Sequence, residues 1–89
     1  MTPQGDESHA DRVRAFCSEK YIEPARRNKD LVVAIRTGDV HSALKYTNRL
    51  PLVCSALGAT MFEESNHIRR IAVDGPLNGA NTVFVFRIL

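Results

Sequence analysis

A single α+β domain is predicted for this chain, on three features of its sequence. Apolar residues recur at helical spacing in three stretches of the first two-thirds. Residues 82–89 then alternate, with Phe84, Phe86 and Ile88 on one side and Val83, Val85 and Arg87 on the other, the period of a half-buried strand. Between that run and an earlier strand-like run stands Asn78-Gly79, a hairpin signal because both residues reach positive φ cheaply. Eighty-nine residues leave room for one core only. A chain of this size buries roughly 60% of the surface its unfolded form exposes.

Residues 1–9 are polar, contain Pro3 and Gly5, and are predicted to be a disordered tail ahead of a domain spanning 10–89. Helix one is predicted to begin between Ser8 and Asp11. Val13, Phe16, Cys17 and Tyr21 share one face of it, and Glu23-Pro24 ends or kinks it. Arg26 to Asp30 is a charged connection, and Leu31 to Arg36 is a β-branched run predicted as a strand, stopped by Gly38. Helix two follows, capped by Thr37 or Asp39, with Val40, Ala43 and Leu44 on one face. At about two turns it depends on packing rather than propensity.

Helix three is the most patterned element. Thr47 or Asn48 caps it, Pro51 sits in the first turn where a missing N–H is tolerated, and Leu50, Val53, Cys54, Leu57 and Met61 share a face. Gly58 either ends this helix, leaving Thr60 to Ser65 as a separate turn carrying Phe62, or sits inside it at a cost of ~1 kcal/mol. Ile68 to Val73 is a strand, and residues 74–81 form the extended tip of a hairpin.

Composition is that of an ordinary globular domain, 44% apolar and 25% charged. No apolar run approaches the ~18 residues of a membrane span, and the N-terminus lacks a basic-then-apolar leader pattern, so a cytoplasmic protein without a membrane partner is expected. Cys17 and Cys54 each fall within an apolar helical pattern and are expected to be buried free thiols. Net charge is +2, unevenly spread: residues 1–11 carry three acids and no base, and the remainder holds all twelve bases against seven acids. Between Arg26 and Arg49 six bases face Asp30 and Asp39, a local +4 that suits a polyanion.

The resulting order is helix, strand, helix, helix, strand, tip, strand. Helices two and three meet across the short break Tyr46-Thr47-Asn48-Arg49 within "GDVHSALKYTNRLPLVCSAL", and a pair joined so tightly can cross steeply and leave one face of the second free. This order and these lengths resemble the winged helix-turn-helix family over about residues 10–89. The runs "GDVHSAL" and "NRLPLVCSAL" also resemble segments of small prokaryotic proteins, a likeness that implies no activity. The winged-helix resemblance implies double-stranded DNA as partner and transcription regulation or DNA targeting as role, with helix three in the major groove and the hairpin tip, or wing, beside it.

On the free side of helix three, Asn48, Arg49, Leu52 and Ser55 are the base-reading candidates: Arg49 for guanine, Asn48 for adenine, Leu52 for a thymine methyl, Ser55 for a base or phosphate. Arg26, Arg27, Lys29, Lys45, Arg69 and Arg70 are candidates for neutralising the backbone. The wing offers Asn78 and Asn81 but no Lys or Arg, and Asp74 stands at its base, a departure from wings that grip DNA. With Leu52 and Leu77, that departure motivates the alternative of a protein-interaction or homodimerisation module.

Catalysis is not expected. Asp39 and His41 lie two apart on a helix and point in different directions, and Cys54 lies on the expected core face, where thiols are inert. His9, His41 and His67 match no zinc spacing, and Gly75 to Gly79 is no phosphate loop, so neither metal nor cofactor is expected.

Overall fold

The computed structural model describes residues 6–89, in the order α1 (Asp6–Cys17), a π-helical turn (Ser18–Ile22), α2 (Glu23–Arg27), β1 (Val32–Arg36), α3 (Thr37–Ala43), α4 (Leu50–Gly58), α5 (Thr60–Asn66), β2 (Ile68–Asp74) and β3 (Val83–Ile88). The α+β class expected from the sequence is observed, as helices packed on one three-stranded antiparallel sheet. Helices two and three of the sequence reading are α3 and α4. Of the expected tail, residues 6–9 belong to α1, and residues 1–5 lie outside the described residues.

Pro24 does not end the first helix. The backbone widens by one residue ahead of it, and Glu23 donates its N–H to Ser18 O, an i→i−5 bond. Pro24 then falls in the first turn of α2, where a missing N–H leaves nothing unpaired. The helix stops only at Asn28 and Lys29, whose φ of 60° is left-handed.

The sheet order is β1-β3-β2, with the alternating strand in the middle. Val33 lies opposite Phe86 and Ile35 opposite Phe84 on one side; Arg69 lies opposite Arg87 on the other, and a bulge interrupts β2 between Arg70 and Ala72. Phe84 and Phe86 are buried, while Val83, Val85 and Arg87 face outward in part or in full, so the two sides divide as the period predicts. Against the inner side pack Val13, Cys17, Ile22, Val40, Val53, Leu57 and Phe62. Each such large side chain contributes roughly 1.5–3 kcal/mol by leaving water.

Several local expectations are corrected. α4 ends at Gly58; Ala59 is extended (φ −75°, ψ 138°), and the chain restarts as α5, a true helix that carries Phe62 into the core edge-on to Phe86 at 5.3 Å. Met61 is therefore turned outward rather than continuing the apolar face, and Leu50 and Ala43 are half-buried and exposed. Neither helix has the expected side-chain cap. Arg36 and Arg49 occupy the cap positions of α3 and α4, and neither makes a side-chain cap bond. At the tip Asn78 is left-handed (φ 59°) and so is Gly75 (φ 118°), whereas Gly79 is not. Gly79 is required for space instead, since a Cβ there would meet Pro76 Cγ at 2.6 Å.

Candidate nucleic-acid interface

The α3–α4 connection runs from Leu44 to Arg49, longer than the four-residue break expected, because α3 stops at Ala43. Two left-handed residues shape it, Lys45 (φ 60°) and Asn48 (φ 56°). Backbone bonds from Lys45 to Ser42 O (3.0 Å) and Tyr46 to His41 O (3.1 Å) tighten the exit from α3. The entry to α4 is closed by a side chain from the other helix: Arg49 donates its N–H to His41 Nε2 at 3.0 Å. His41 therefore does from outside what Thr47 or Asn48 was expected to do from within.

Tyr46 ties this turn to the first helix. The Arg12 guanidinium lies 5.3 Å over its ring, the His9 ring packs edge-on at 5.5 Å with Nδ1 3.3 Å from the phenol oxygen, and His41 tilts against it at 6.2 Å. Arg12, which the sequence does not single out, is thus brought over Tyr46, next to Lys45 in the turn. The only sequence trace of this arrangement was an aromatic residue inside an otherwise polar break. The segment from Val40 to Phe62 contains no acid. Among the described residues the ion pairs are Arg14–Asp11, Arg27–Glu23 and Arg36–Asp39, so neither Arg12 nor Lys45 is neutralised by one.

α4 itself carries no charged side chain. Val53, Cys54 and Leu57 are buried as expected and Ala56 is buried beside them; Ser55 and Asn48 are exposed, and Arg49 and Leu52 are half-buried. Ser55 shares a groove of about 370 Å³ with Gly58 of the same helix and Arg70, Val73, Leu77 and Phe84 of the hairpin. Arg70 spans its rim, donating to Gly58 O at 3.4 Å, while its own N–H is held by Glu63.

The tip does not project freely. Thr37 and Gly38 donate their N–H groups to Thr82 O and Ala80 O, both at 2.9 Å, and the Thr37 hydroxyl donates to Gly79 O at 2.6 Å. Thr82 in turn donates its hydroxyl to Pro76 O. Asn81 accepts from Arg36 at 2.6 Å, and Asn78 is exposed with its N–H against the Cys54 sulfur. Burial pushes the Cys54 thiol up, partly offset by that N–H and by the Thr37 hydroxyl.

The remaining basic candidates are dispersed. Arg26 donates to Asn66 O (2.8 Å) and His67 O (3.1 Å), closing the end of α5, and Arg27 makes an exposed 3.9 Å pair with Glu23. Lys29 is exposed just before β1, and Arg69 lies at the Ile68–Ile88 end of the sheet, opposite the tip. Only Lys45, Asn48, Arg49 and, farther along α4, Leu52 and Ser55 belong to the turn and its helix.

Among the described residues no helix is long and apolar enough to cross a membrane. No protein-family model, no curated protein and no solved structure matches the chain.

Proposed function

We propose that this chain is a winged helix that binds double-stranded DNA without catalysis, serving as a regulator or a DNA-targeting module. The arrangement supports the winged-helix identity: two helices across a short turn, followed by the additional helix α5, precede an antiparallel hairpin, and β3 lies between β1 and β2. The observation that carries the DNA reading is the turn itself, where Arg12 lies over Tyr46 beside Lys45, and where the segment from Val40 to Phe62, with Asn48 and Arg49, carries no acid of its own. Cations at the entry to a helix whose outer side is otherwise short and uncharged can approach phosphates while Asn48, Arg49 and Ser55 reach base edges. The wing contributes little, since its tip is fastened to α3 and bears no cation.

Titration of labelled duplex over a range of salt tests this. Affinity falls linearly on a log–log scale as counterions are released. Arg49→Ala weakens a specific site by about 1–3 kcal/mol. Absence of binding at low salt contradicts it. A second reading, a protein-interaction module, is favoured by the apolar groove along Gly58, Val73, Leu77 and Phe84. It predicts that Leu77→Asp abolishes partner binding and leaves duplex binding untouched.

A further inference from the structure

The two edges of the sheet are built differently. The β2 edge carries Arg69, Arg70 and Asp74 and is broken by a bulge after Arg70, devices that keep an edge from pairing with another chain. The β1 edge has no bulge and a single charge at its end: Val32, Val33, Ala34 and Ile35 precede Arg36, and its register with β3 is unbroken. Val32 is 47% exposed, and Leu31 just before it is 74% exposed.

The hydrogen-bond parity shows which groups that edge presents. Ile88 donates to Leu31 O, and Thr37 donates to Thr82 O. In the register Val33↔Phe86 and Ile35↔Phe84, the odd-numbered residues therefore direct their N–H and C=O groups at β3. Those of Val32 and Ala34 point to the open side, and no turn or loop bond among the described residues takes them up.

We propose that β1 is the seam of a homodimer, pairing antiparallel with β1 of a second copy about a two-fold axis at Ala34. A second copy is the occupant that the strand's own pattern selects. An axis through a hydrogen-bonding pair must pass at an outward-pointing residue, and Ala34 is both that residue and the smallest side chain in β1. Val32 then faces Arg36 of the second copy, and Val33 faces Ile35, so no like charges meet. The two sheets join into one of six strands, with Val32, Ala34, Val85 and Ala72 continuous across its outer side. A five-residue seam falls in the small interface class, below ~1,200 Å² in total, so a dissociation constant on the order of micromolar is expected. None of the residues of the α3–α4 turn takes part, so the seam stands or falls independently of DNA binding.

Sedimentation equilibrium of the full chain from low micromolar to millimolar concentration is the test. The expected result is a reversible monomer–dimer equilibrium that Ala34→Pro abolishes, because proline removes the outward N–H and leaves the bonds to β3 intact. Val32→Lys, at an exposed site, sets two lysines against Arg36 of the opposing copies and weakens the dimer about tenfold or more. If Ala34→Pro fails to fold by circular dichroism, Val32→Lys decides alone. A chain that stays monomeric throughout overturns the proposal, as does a dimer whose constant ignores Val32→Lys.

Discussion

Cys17 and Gly38 show how much a single position constrains here. Cys17 is fully buried, and desolvation pushes its thiol from 9.0 up to about 12. The folded chain therefore keeps a proton that the unfolded chain loses first, so stability is complete below about pH 9 and declines as pH rises toward 12. By pH 10.5 the loss from this group is about 2 kcal/mol, and unfolding in denaturant across that range, with Cys17→Ala flattening the slope, measures it. Gly38 has an ordinary backbone but no space. A Cβ would stand 2.6 Å from Ala80 O, the same carbonyl that receives the Gly38 N–H. Gly38→Ala is expected to loosen the tip from α3 and to cost about 1–3 kcal/mol, read from the denaturation midpoint.

At the level of elements, α5 is tied to the core through one large side chain. Phe62 is fully buried against Phe86, so Phe62→Ala is expected to lose about 3–5 kcal/mol in equilibrium unfolding. The sequence left α5 undecided because Gly58 serves equally as a helix end or a helix interior. Only the sheet behind Phe62 settles that the chain must break and turn it inward. β3 was legible, since alternation needs no partner to be recognised, and so were Val53, Cys54 and Leu57 on the buried face of α4, but not the outward turn of Met61. Pro24 misled because the remedy, an i→i−5 turn, leaves no mark in composition. The missing caps have the same origin: His41 reaches Arg49 through space, and spacing along the chain cannot register a bond between helices. Of the candidate residues, Asn48 and Arg49 were read within the break between the helices, and the structure adds Lys45 to it because α3 stops at Ala43. Arg12 was not singled out, because its place depends on how α1 lies across Tyr46.

For the whole molecule, cation placement separates two surfaces that net charge merges. Arg12, Lys45 and Arg49 collect at the α3–α4 turn, whereas Arg69 and Arg87 face each other across strands at the end of the sheet away from the tip. If the turn is where DNA is held, each cation removed there lowers the salt slope by about one, and removing the sheet pair does not. The decisive measurement is fluorescence anisotropy of a labelled duplex against salt for three proteins: wild type, Lys45→Ala/Arg49→Ala and Arg69→Ala/Arg87→Ala. With DNA held at the turn, the slope falls by about two in the turn variant and stays unchanged in the sheet variant. Equal reductions in both, or no binding by the wild type in low salt, would contradict DNA binding at the turn.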